Sequence, residues 1–168
     1  LKSFEDLESV AANLAGTADL VCLTLDGTRM SMAERRQFSH QQPTDSQWSA
    51  GLTAMRRTML GETDARILLG GRVDQYKGAM PGIAEEALLS LQEHQPLYLM
   101  GGFGGCARDI AESLGLVAPW AASRPLWPGR DSFKSFSPAS LNNGLSLEQN
   151  ATLAHTPHVD QAIILILQ

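Results

Sequence analysis

The chain has 168 residues, 43% of them apolar and 18% charged, with a net charge of −5 and a pI near 5.3. Such a length and composition are expected of a soluble globular domain with a sizeable core. The acidic balance excludes nucleic acid as the main partner, because binding a phosphate backbone draws on Lys and Arg.

In chain order, residues 3–15 read as a helix. Ser3 stands as its cap with Asp6 three positions on, and Leu7, Val10, Ala11 and Leu14 recur at helical spacing before Gly16. Residues 19–25 are a strand candidate that stops at Asp26-Gly27. Residues 28–46 carry Arg29, Arg35, Arg36 and His40 with little periodicity, and are expected to be loop with one short helix. A second helix covers residues 44–61, where Trp48, Leu52, Met55 and Met59 recur at three- and four-residue steps.

Residues 64–71 form a short apolar run ending in two glycines and read as a buried strand. Pro81 then opens a helix to His94, since proline's missing amide would have no partner in a first turn. Ile83, Ala87, Leu88 and Leu91 make its inner face. Residues 96–102 are a second buried strand, followed by a third helix over 105–114. Strand, helix, strand, helix, with strand starts about 30 residues apart, is a βαβ unit and predicts parallel strands. The expected fold class is therefore α/β, a Rossmann-like parallel sheet flanked by helices. Residues 117–144, rich in Pro, Ser, Trp and Gly, read as irregular, and residues 146–155 and 159–167 as helices.

Cys22 and Cys106 lie far apart without a CxxC pair, which argues against a disulfide framework or a zinc site and for a reducing cytoplasm. His40, His94, His155 and His158 show no metal spacing, so neither a metal nor a cofactor is expected. No apolar run approaches the roughly 18–20 residues of a membrane span, and no signal peptide is visible. The chain starts at Leu1 and stops at Gln168, directly after the apolar run 162–167. It is expected to be one domain, residues 1–168, excised from a longer polypeptide whose other parts hold the output.

The chemistry is expected at the glycines. Both central strands end in them: Gly70-Gly71, then Gly101-Gly102-Phe103-Gly104-Gly105. In open parallel sheets ligands bind outside the carboxyl ends of the strands. Glycine lets the main chain come close to a ligand, and a helix N-terminus after each loop offers amides and a positive dipole end to an anion. Two such loops suit phosphate or pyrophosphate; the competing account is that the glycines only make tight turns. Glu85 and Glu86 in the first turn after Pro81 either hold ribose hydroxyls or simply complement the helix dipole. Arg56 and Arg57, on the preceding helix, are a phosphate clamp or a solvated helix surface, and Arg72 is a similar candidate. Tyr76 and Phe103 in the loops either stack on a base or pack. The basic residues are ten Arg and three Lys (Lys2, Lys77, Lys134); Arg is the better bidentate partner for phosphate, although an uneven surface accounts for the bias equally well.

Residues 52–114 resemble the SLOG superfamily, which includes the LOG nucleoside-monophosphate phosphoribohydrolases and DprA-like proteins. LOG enzymes carry an Arg-Lys pair on a helix, then an Asp, an apolar strand and a Pro-Gly-Gly-x-Gly-Thr-x-x-Glu loop. The matching order here is Arg56-Arg57, Asp64, the strand 65–69, Gly70-Gly71 and Pro81-Gly82-Ile83-Ala84-Glu85-Glu86. The Gly-x-Gly-Thr core of the LOG loop is replaced by Ile83-Ala84 and by an insertion over 72–80. The resemblance is therefore to SLOG domains fused to effectors in bacterial antiphage defence and nucleotide signalling. It implies a sensor for a nucleotide-derived signal such as ADP-ribose, a cyclic ADP-ribose isomer or an NAD-related molecule, acting on a fused effector or a homo-oligomer. The ligand residues it implies, with the loops, are Arg56, Gly70, Gly71, Arg72, Gly82, Glu85, Glu86, Gly101, Gly102, Phe103, Gly104 and Gly105. The alternative it leaves is an N-glycosidic hydrolase of nucleotides, with Arg56 positioning phosphate and Glu86 or Glu85 assisting ribose departure.

Overall fold

A computed structural model describes residues 3–39, 41–120 and 126–168; His40 lies outside them. The chain divides into two compact units, Leu1–Thr58 and Met59–Gln168.

The first unit opens with α1, Phe4–Leu14, where Ser3 and Asp6 form the expected capping box. The expected strand over 19–25 is reduced to β1, Cys22–Leu23, paired antiparallel with β2, Arg29–Met30. The physical reason is the tight turn at its end. Thr24 donates its amide to the Thr28 carbonyl at 2.9 Å, and the Asp26 carboxylate accepts from the Thr24 hydroxyl and the Thr28 amide. The chain therefore reverses immediately instead of running on. Ser31 and Glu34 then cap a short α2, Met32–Arg36. α3 covers Asp45–Leu60 and crosses into the second unit.

The second unit is built on β3, Arg66–Leu69, and β4, Leu97–Met100, parallel and in register from Arg66 opposite Leu97 to Leu69 opposite Met100. α4, Gly82–Gln92, is the crossover between them. Leu68, Leu97 and Leu99 point into one core with Ala84, Ala87 and Leu91 of α4 and with Cys106, Ile110 and Ala111 of α5, Gly105–Ser113. On the other face, Tyr98 and Met100 pack on Leu153, Ala162 and Leu165 from α6, Leu147–His155, and α7, Val159–Ile166. Ile67 and Leu69 of β3 are 53% and 49% exposed. The result is a mixed α/β fold with one parallel pair. Among the described residues the sheets are two-stranded, so the full Rossmann-like sheet expected from the sequence is not seen. Two 3-10 segments, Arg130–Ser135 and Pro138–Leu141, interrupt the stretch expected to be irregular, and Phe133 and Leu141 from them enter the core.

Candidate functional site

Parallel pairing brings the two glycine-rich loops to the same end of the strands, where they touch. Gly70-Gly71 follows β3. A 3-10 turn, Gly101–Phe103, follows β4 and leads through Gly104 into α5. Cys106 donates its amide to the Gly71 carbonyl at 3.0 Å, and Ala107 donates to Gly70 at 2.8 Å. One loop thus caps the helix that leaves the other, and these two N-terminal amides of α5 are committed inside the protein. Gly105 sits at the crossing with φ +64°, and a Cβ there would lie 2.5 Å from the Gly71 carbonyl oxygen. Gly101 and Gly102 are spacers of another kind. A Cβ on Gly101 would lie 2.5 Å from the Ala154 carbonyl, and one on Gly102 would meet the carbonyls of Thr156 and His155. The end of α6 therefore rests on these two glycines. Phe103 and Arg72 are exposed on the loops.

The N-terminus of α4 differs. Pro81 occupies the cap position without a side-chain hydrogen bond. Among the described residues, the amides of Gly82 and Ile83 have no acceptor. The Ala84 amide faces the Cys106 sulfur. Burial and the Asp109 carboxylate push the Cys106 thiol up to about 12, outweighing the Ala84 amide and Arg130. Glu85 is buried, and Glu86 pairs with Arg66 of β3 at 3.1 Å. The side chain of Arg66 is only 6% exposed, so Glu86 balances a cation held inside the protein.

On α3, Arg57 is exposed, but Arg56 is buried. A solvated surface is therefore not the setting of Arg56. Spacing explains it: Leu52, Arg56 and Leu60 fall in line at four-residue steps, whereas Met59, expected on the inner stripe, is 42% exposed.

Sequence reasoning missed the ionic cluster along α5. Arg108 donates Nε to Glu112 at 3.1 Å and Nη2 to the Ala118 carbonyl at 2.9 Å. Arg130 reaches Glu112 at 3.1 Å and Asp109 at 4.0 Å, and the Trp127 indole N–H donates to Asp109 at 3.1 Å. Burial alone would raise the Glu112 carboxyl. Hydrogen bonds from Arg108, the Trp120 amide and Arg130, with the Arg108 charge, hold it below its ordinary value instead. The i, i+4 spacing of Arg108 and Glu112 was a readable signal; their partners on residues 118–130 carried none. Beside this cluster lies a cavity of about 700 Å³ lined by Arg108, Ala118, Thr152, His155, His158 and Gln161, among others. It adjoins the Gly-rich loop, because the His155–Thr156 backbone packs on Gly102. The first unit holds a smaller, mainly apolar cavity of about 250 Å³ between Val21, Leu23 and Leu25 and the Trp48–Met55 face of α3.

Among the described residues no three His, Cys, Asp or Glu side chains gather as a metal site, and no helix is long and apolar enough to cross a membrane. A family model described as SLOG cluster2 matches residues 2–152. No curated protein and no solved structure matches the chain.

Proposed function

The chain belongs to the SLOG superfamily, and from that membership we propose that it is a sensor domain for a nucleotide-derived signal. The ligand is an adenine nucleotide or ADP-ribose derivative, with cyclic ADP-ribose isomers and NAD-related molecules in the same class. Its phosphate rests at the start of α4 on the amides of Gly82 and Ile83. The loops Gly70-Gly71 and 101–105 form the adjoining wall, with Arg72 at its edge. Residues 1–168 act as one ligand-binding domain whose occupancy shifts a homo-oligomer or a fused effector in bacterial antiphage defence, in the cytoplasm.

The observation that carries the reading is the contrast between two helix N-termini at the carboxyl end of the strand pair. The Gly70 and Gly71 carbonyls close α5, while the first two amides of α4 have no acceptor among the described residues, as a helix start that seats an anion would. The pairing of Glu86 with Arg66 and the burial of Glu85 favour binding over N-glycosidic hydrolysis, which needs a carboxylate directed at ribose.

The test is a melting scan with AMP, NAD, ADP-ribose and cyclic ADP-ribose isomers, followed by chromatography of each ligand. A ligand at 100 times its dissociation constant adds about 2.7 kcal/mol, a shift that a scan resolves. Stabilisation with the ligand recovered intact is the expected result. Release of free base would make the protein a hydrolase, and no shift with any of these compounds would overturn the nucleotide reading.

A further inference from the structure

We propose that the outer side of α7 is the seam on which a second copy of this chain docks. The inference rests on α7 and its flank and stands whether or not a nucleotide binds. The inner side of the helix packs into the protein: Ala162 and Leu165 are buried against Leu153, Tyr98 and Met100. The outer side is apolar as well. Val159, Ile163 and Leu167 fall in line at four-residue steps and are 53%, 46% and 79% exposed, and Ile164 beside them is 62% exposed. From Val159 onward the other exposed positions are Asp160, Gln161 and Gln168. A surface helix ordinarily carries polar residues opposite its packed stripe, and one that is apolar on both sides is built to be covered on both. Leu147, at the start of α6, is 64% exposed and lies toward the same end, because Gln149 Nε2 donates to Gln168 Oε1 at 2.7 Å.

Size and charge name the occupant. At about 100 Å² of apolar surface for each side chain of this kind, these residues offer about 500 Å² per copy. A pair would bury about 1,000 Å² before any polar rim is counted, which is the size a specific interface needs. Residues 147–168 hold no Lys or Arg, whereas a helix that lies on an anionic membrane carries basic residues along its polar face. A second copy has no such requirement. A two-fold axis through Ile163, the midpoint of the 159–167 stripe, runs the two helices antiparallel, so one patch serves both sides. The two Asp160 carboxylates then stand about 9 Å apart along the helix, near the screening length of physiological salt. The stripe begins three residues after Thr156, whose carbonyl packs on Gly102, so the seam adjoins the glycine-rich loop.

The experiment is sedimentation of the full chain over a dilution series, alongside Ile163→Glu, Ile163→Lys and an equimolar mixture of the two. The parent is expected at twice the 18.1 kDa of one chain. Each variant places like charges at the axis. It should sediment as a monomer, with its dissociation constant raised about tenfold or more and with parental helicity by circular dichroism. The mixture brings opposite charges together and should recover the pair, a result that misfolded variants could not give. A parent that stays monomeric at every concentration overturns the proposal, and if it then floats with anionic vesicles the face is a membrane surface. Variants that remain paired place the contact elsewhere and overturn it too, as does a mixture that stays monomeric. None of these outcomes depends on the melting scan with nucleotides, so the seam and the nucleotide reading fail separately.

Discussion

Ala107 donates its amide to the carbonyl of Gly70 at 2.8 Å, so the loop after β3 caps the helix that follows β4. With the neighbouring bond from Cys106 to Gly71, the two loops are one hydrogen-bonded unit. The glycines there play unequal parts, and substitution separates them. Gly105→Ala is expected to cost about 2–4 kcal/mol, from overpacking against Gly71 and from the positive φ. Gly102→Val is expected not to reach the native fold, because the Thr156 and His155 carbonyls occupy the place of its side chain. Among the described residues a Cβ on Gly104 would meet just the Trp120 ring, at 3.7 Å, so Gly104→Ala is disfavoured mainly by φ +77° and should fold while losing ligand affinity. Urea midpoints and a ligand titration on the three variants check the order. A Gly102→Val chain with the parental midpoint would contradict the packing described.

Gly82→Pro tests the phosphate seat. Proline suits the first helical position, and the preceding Pro81, at ψ 135°, already has the extended backbone that proline demands of its neighbour. The helix should survive while one amide donor is removed. A hydrogen bond to a charged group is worth about 1.5–3 kcal/mol, so phosphate-bearing ligands should weaken about tenfold or more with little change in melting temperature. Unchanged affinity would remove the start of α4 from the site.

Leu91→Ala addresses the core without the site. Leu91 is fully buried between α4 and the strand pair, and truncation should cost about 2–5 kcal/mol. Ligand affinity of the folded fraction should stay parental. A loss of binding beyond the unfolded fraction would show that core and site are coupled.

Glu112 predicts an acid limb. Its folded carboxyl is held below the ordinary value of 4.5. Its stabilising contribution is therefore complete above that pH and disappears as pH falls through the folded value. Urea midpoints should drop on acidification below pH 4.5, less steeply in Glu112→Gln. At neutral pH the same variant leaves Arg108 and Arg130 without their shared anion, at a cost of about 3–5 kcal/mol. Parallel pH profiles for the two proteins would rule out this role.

The two cysteines should label in sequence. Cys106 is fully buried with its thiol raised to about 12, whereas Cys22 is only half-buried. A thiol reagent at about pH 8 should modify one group in the native protein and the second only in denaturant. Two thiols reacting at one native rate would contradict the burial of Cys106.

The helices were legible because their signals are local. Ser3 with Asp6 and Ser146 with Gln149 close capping boxes at fixed spacing, and the α4 stripe needed only its own periodicity. β3 and β4 were legible as apolar runs ending in glycine. The segment before Asp26 was over-read, since its apolar residues say nothing of how soon the turn takes hold. The site was legible only in outline. The sequence marks Gly102 as a loop glycine, but the reason for it lies 54 residues away at Thr156. The closure of α5 by Gly70 and Gly71 joins two loops through space. Arg56 read as a phosphate clamp or a solvated surface, and its burial was missed because charge outweighed its place in line with Leu52 and Leu60.

The parallel pairing of β3 with β4 also has a kinetic consequence. No hairpin can nucleate it, because Arg66 meets Leu97 only after all of α4 and the 70–81 loop have been drawn across. The chain entropy of that closure is lost before the reward of the ladder arrives. The β1–β2 reversal, closed over a few residues around Asp26, meets no such delay. The second unit should therefore refold more slowly than the first, with the crossing of α4 as its late step.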